Sequence, residues 1–145
     1  MRHTLPLEEL TYSIIGAFFE VYNVLGFGFL ERFYSLALER ELIARGHRVE
    51  REVRIAVSYK GQWLGWQRID MLVDDAVVVE VKAAMDLHKY AKRQVYSYLR
   101  ASAKQVGLLL HFGLEPAFHR LDNPGDPVVP KAPASIETQD RSIRR

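Results

Sequence analysis

The run Val77-Val78-Val79-Glu80-Val81-Lys82 limits what this chain can become more than any other stretch. Its β-branched valines favour a strand and pack well only where a sheet buries them. Glu80 and Lys82 interrupt them, and a charge removed from water is costly unless it pairs or holds a metal. Residues two apart on a strand project from one face. Glu80 and Lys82 therefore stand together, while Val77, Val79 and Val81 enter a core from the other side.

Upstream, Asp70 closes a second apolar run, and its place depends on one register. Residues directly opposite in an antiparallel hairpin share a face. A two-residue turn at Asp74-Asp75 sets Asp70 opposite Val79 and sends the two acids to opposite faces. A three-residue turn, Asp74-Asp75-Ala76, sets Asp70 opposite Glu80, with Cβ atoms roughly 5 Å apart. Two carboxylates that close can share a divalent cation, and oxygen-only ligands suit Mg²⁺, Mn²⁺ or Ca²⁺. Lys82 beside them could hold a water or stabilise charge on a phosphorus centre.

The segment from Asp86 to about Ala103 has helical character, with Gln94 and Tyr98 four residues apart on the face of Leu87 and Ala91. A Gln on that face points back towards the carboxylates. The string Asp70…Glu80-x-Lys82…Gln94-x-x-x-Tyr98 resembles the PD-(D/E)XK nuclease superfamily, particularly its RecB-like branch. Gly28-Phe29-Leu30-Glu31-Arg32-Phe33-Tyr34 matches the signature of the GxxExxY protein family, and Ile14 to Tyr34 and Gly107 to Phe112 are similar to that family too. The resemblance covers about Leu10 to Leu121. It departs at Ile69, where the superfamily motif carries Pro.

The resemblance implies a restriction-endonuclease-like core and a metal-dependent nuclease that hydrolyses phosphodiester bonds, with DNA preferred over RNA. In that role Asp70 and Glu80, joined by Glu31, would hold Mg²⁺ or Mn²⁺. The Val81 carbonyl would be a further ligand, since hard cations accept carbonyl oxygens. Lys82 would position the attacking water, Gln94 would orient that water or the lysine, and Tyr98 would support Gln94 or touch the phosphate. Glu31 has a second reading: it falls in the first turn of a helix, where the macrodipole favours any carboxylate. Glu20 is the reserve candidate for the metal shell. Tyr34 reads as a packed aromatic with a hydrogen-bonded hydroxyl.

With 145 residues the chain suits one domain, expected over residues 1–121, followed by a flexible Pro- and charge-rich tail over 122–145. The absence of Cys excludes disulfides, zinc-thiolate sites and the cysteine-held iron–sulfur cluster that some RecB-like nucleases carry. No apolar run approaches membrane-spanning length and the start lacks a signal core, so the expected location is the cytoplasm. A net charge of +2 neither demands nor forbids a nucleic-acid partner, so the distribution of charge must decide.

The expected order is ααβββαβ: an α/β fold with a mixed central sheet flanked by helices. Apolar spacing predicts helices from Leu5 to Leu25 and from Leu30 to Arg45. Alternation predicts strands over Val49–Tyr59, Trp63–Val73 and Ala76–Lys82. The continuous apolar run Gly107–Phe112 reads as a central, parallel strand, and Phe118–Leu121 as an added edge. Lys89, Arg93 and Arg100 form a stripe beside Gln94, and Arg68 lies two residues before Asp70, so these four are the candidate nucleic-acid contacts. Trp66 and His111 read as packing residues. A small domain with exposed aromatics is also compatible with a homodimer or a partner protein. The competing reading is a catalytically inactive nuclease-fold module that binds nucleic acid or protein; a broken Asp–Glu-x-Lys set would mark it, and the set is intact.

Overall fold

The computed structural model describes residues 7–124. Helix α1, Leu7–Leu25, buries Leu10, Ile14, Ala17, Phe18 and Val21, a stripe at the three- and four-residue spacing of one helical face. Gly28, at φ +119°, takes a backbone conformation closed to side chains with a Cβ, and the chain breaks there before α2, Glu31–Ala44. Five strands follow: β1 (Val49–Tyr59), β2 (Gln62–Val73), β3 (Val77–Lys82), then, after α3 (Ala91–Ser102), β4 (Val106–Phe112) and β5 (Pro116–Asp122). They form one sheet in the order β1-β2-β3-β4-β5. Only the β3–β4 pair is parallel, as a strand–helix–strand crossover requires.

The two faces of the sheet carry separate cores. Val77, Val79 and Val81 join Met71, Leu108, Leu110 and Phe112 against α1 and α2. Ile69, Leu72, Val78 and Leu109 pack against Ala91, Val95, Tyr98 and Leu99 of α3. With helices on both sides, all seven residues of β4 are buried, which explains its unbroken apolar sequence. At Gly107 an added Cβ would stand 2.7 Å from Val95 Cγ1, so glycine permits α3 to lie this close to β4. Tyr34 is fully buried and stacks on Phe112 at 4.2 Å. Its hydroxyl donates to the Gly26 carbonyl and accepts the Phe29 amide, tying the loop before α2 to the core.

Helix α3 begins at Ala91, five residues after the start that the sequence suggests. His88 is the cause: its Nδ1 accepts the Tyr90 amide at 3.1 Å and its carbonyl takes the Ala91 amide at 2.9 Å. These bonds make a turn of the segment, so Leu87 and Lys89 are not on the helix. The final strand is longer than the sequence suggests, and Asn123 beyond it bonds the carbonyls of Gln105, Leu99 and Lys104. Asp122 and Asn123, the first residues of the expected tail, are thus held by the sheet, and residues 125–145 of that segment lie outside the described residues. Among the described residues no helix is long and apolar enough to cross a membrane.

Candidate active site

Strands β2 and β3 pair as Val73↔Val77, Leu72↔Val78 and Met71↔Val79, the register of the three-residue turn. The ladder then stops, one step short of Asp70 and Glu80. On its other side Asp70 is also free of the ladder: β1 pairs Arg51↔Met71 and Val53↔Ile69, and skips Glu52, whose φ is +56°. Asp70 thus occupies a gap between three strands. Its Oδ2 accepts the Val81 amide at 2.7 Å, replacing a backbone acceptor with a carboxylate.

Glu80 is only 4% exposed. Its Oε2 meets Lys82 Nζ at 3.4 Å, and its Oε1 is buried with no hydrogen-bond partner among the described residues. Burial, then the charge of Asp70, raises its pKa to about 7, with Lys82 and the Asp70 backbone amide pulling the other way. Near neutral pH this carboxyl is therefore poised between its protonated and ionised forms. Asp70 is also raised, first by burial, against the Val81 amide and Lys82.

Glu31 opens α2 and leans its carboxyl into the same space, where it accepts the Ala83 amide. Burial and then Asp70 raise its pKa, while Lys82 lowers it. The same side chain is therefore both a charge at the start of α2 and a carboxyl within the field of Asp70 and Lys82. Glu20 stands exposed on α1 and is not among the groups acting on Asp70 or Glu80. From α3, Tyr98 is buried above the acids, and its pKa is raised by burial and then by Glu80 and Asp70. Gln94 hydrogen-bonds it from a more exposed position one turn earlier.

The acids form an open set. Among the described residues no three His, Cys, Asp or Glu side chains converge tightly enough to hold a metal as they stand. The chemistry still fits one. A buried carboxylate oxygen without a donor needs a proton or a cation, and the oxygen-only donors of Asp70, Glu80, Glu31 and the Val81 carbonyl suit Mg²⁺ or Mn²⁺.

The supporting residues carried fainter signals. His111 pairs with Lys82 across β3 and β4, and its Nε2 lies 2.7 Å from the Ala84 carbonyl, fixing the exit of β3 beside the Glu31 contact. A histidine ending an apolar strand was the sequence mark for it. Glu52 gave none. Around α3, Lys89, Lys92, Arg93 and Arg100 line an outward groove of about 640 Å³ that Asp122 closes on one side. Arg68 lies apart from that groove, on β2, where its charge acts on Asp70.

A carboxylate pair and a lysine stand at a splayed sheet hairpin of a mixed α/β sheet, beneath a helix that carries Gln94 and Tyr98. The chain belongs to the PD-(D/E)XK nuclease superfamily, whose sequence profile matches residues 8–121. The solved structure of SSO0001 is similar in fold, with a TM-score of 0.51 at 19% identity over 78% of this chain. The match spans 57% of that protein. No curated protein matches the sequence.

Proposed function

We propose that the chain is a metal-dependent nuclease that hydrolyses phosphodiester bonds, with DNA as the preferred substrate and the cytoplasm as its place of action. One observation carries this reading: the gap in the sheet gathers Asp70, Glu80, Glu31 and Lys82, and among the described residues one buried oxygen of the Glu80 carboxyl has no hydrogen-bond partner. The Gly28–Glu31–Tyr34 signature supports placing it with the GxxExxY family in the RecB-like branch.

Asp70, Glu80, Glu31 and the Val81 carbonyl would hold Mg²⁺ or Mn²⁺. Such a cation supplies Lewis acidity and lowers the pKa of water. The chain's own groups do the rest. Water adds to phosphorus as a P–O ester bond breaks, leaving a phosphate monoester and a hydroxyl. Lys82, tethered to Glu80, keeps N–H donors to hold that water and to face the charge growing on phosphate. Gln94 orients the water or the lysine, and Tyr98 holds Gln94 in place. The groove of Lys89, Arg93 and Arg100 tracks the nucleic-acid backbone without reading sequence.

The test is a cleavage assay on single- and double-stranded DNA and RNA, titrated with Mg²⁺ and Mn²⁺. The expected result is metal-dependent cleavage that Glu80→Gln removes. Cleavage of no nucleic acid under any metal would leave the inactive binding module as the better reading.

A further inference from the structure

Strands β1 and β2 run well past the end of β3 and form a two-stranded arm beside the carboxylates. On it Arg54 and Arg68 are direct cross-strand partners. Like charges directly opposite each other destabilise a sheet, so the pair needs an explanation. Neither side chain is neutralised well. Arg54 makes no ion pair among the described residues; its guanidinium lies 4.3 Å above the Trp66 ring. Arg68 is exposed and touches a carboxylate only at 3.8 Å, on Glu52.

We infer that Arg54 and Arg68 form a phosphate-binding subsite for the nucleic-acid strand, one step along from the scissile phosphate, with Trp66 holding the Arg54 fork flat. The inference rests on the nuclease reading and names where the substrate strand runs. An anion between the two guanidinium groups turns their repulsion into two charge-assisted, bidentate contacts. Position supports it as well. Arg68 lies two residues from Asp70 on the same strand, roughly 6.8 Å along it, and its charge already acts on Asp70. Stacking on Trp66 fixes the plane of Arg54 before any ligand arrives, which lowers the ordering cost of binding. The arm therefore carries the strand on the β2 side of the site, separate from the α3 groove.

The probe is a short fluorescein-labelled single-stranded oligodeoxynucleotide, followed by anisotropy without divalent metal, so that binding is read apart from cleavage. Arg54→Gln and Arg68→Gln should each weaken binding several-fold and flatten the slope of log K against log salt by about 0.7, the value of one phosphate contact on a single strand. Arg54→Lys should retain the slope. Arg40→Gln, on the exposed far side of α2, loses the same charge and should retain it too. Full-chain melting curves confirm that each variant folds; Arg68, whose side chain is 66% exposed, serves where Arg54→Gln does not fold. Wild-type binding with unchanged slopes in both glutamine variants would overturn the subsite and leave the nuclease reading standing. Wild-type protein that binds no oligonucleotide would overturn both.

Discussion

His47 Nδ1 stands 2.8 Å from Asp74 Oδ2, joining the start of β1 to the first residue of the β2–β3 turn. Asp74 is held on every side: its Oδ1 accepts the Arg48 amide and its own amide donates to the Arg48 carbonyl, both at 2.8 Å. The far ring nitrogen of His47 lies 2.7 Å from Ser13 Oγ on α1. The order Ser–His–Asp is that of a hydrolase triad. Ser13, however, lies within a helix, where neighbouring amides are spent on helix bonds and cannot form an oxyanion hole. The constellation is a tie. It holds Asp74 and Asp75 at positive φ and so keeps the three-residue turn that brings Asp70 to Glu80.

Asp74→Ala removes the two carboxylate bonds, to His47 and to the Arg48 amide, and lets the turn relax towards two residues, which would set Asp70 opposite Val79. A loss of about 1–3 kcal/mol is expected from the unpaired buried His47 and the freed backbone amide. Metal-induced stabilisation should shrink with it. Glu41→Ala, which breaks the half-exposed pair with Arg45 at 3.1 Å, should change stability by about 0.5 kcal/mol or less and leave the metal response alone. Urea unfolding with and without Mg²⁺ compares the two.

The α3 groove gives a second prediction. Replacing Lys89 and Arg93 together with Ala should weaken nucleic-acid binding equally across sequences. It should also flatten the salt dependence by up to about two contacts' worth. A salt titration against two unrelated oligonucleotides measures both. An unchanged slope would make the groove an ordinary wet helix face.

The pH dependence follows from Glu80. Its folded pKa is about 7 against an ordinary 4.5, so the folded state holds its proton more tightly than the unfolded chain does. The stability this gives is fully present below the ordinary value and is lost as pH rises through about 7. The metal-free protein should therefore lose stability across that window, by about 3 kcal/mol at most. A cation must displace the same proton, so its thermal shift should grow from about pH 6 to about pH 8, with release of up to one proton. Melting curves and calorimetry in buffers of different ionisation enthalpy would show it. A metal shift independent of pH would mean that Glu80 does not ligate.

The sequence revealed those parts of the molecule that repeat a local rule. Helical spacing in α1, the continuous apolar run of β4 and the valines of β3 each follow from burial on one or both faces, and all three elements stand where those patterns put them. The charged residues in β3 marked the site for the same reason, since burial makes them costly. What the sequence left open was long-range. Two registers for Asp70 were equally consistent with local pairing, and the tie from His47, 27 residues away from Asp74, decides between them. The start of α3 was hidden because Leu87 keeps helical spacing while a single ring nitrogen of His88 diverts the backbone. The break in the ladder at Glu52 left no mark at all, because its residue type disfavours the positive φ that it adopts.

Glu80 and Lys82 separate enzyme from scaffold. If Glu80 ligates, Mg²⁺ or Mn²⁺ should raise the melting temperature, because whatever binds only the folded state stabilises it. Glu80→Ala should remove that increment and the cleavage together. Lys82→Ala should lose cleavage and keep the increment, because an ammonium acts on water and phosphate and cannot coordinate a cation. The ion pair at 3.4 Å sharpens the contrast. Without Lys82, Glu80 loses the charge that pulls its pKa down, so its proton competes harder with the metal and the increment should need a higher pH to reach its full size. If the two residues are merely a partnered pair, both substitutions should lower metal-free stability alike, and neither should alter a response to metal. Six melting curves, the wild type and each variant with and without Mn²⁺, beside one cleavage gel, distinguish these outcomes.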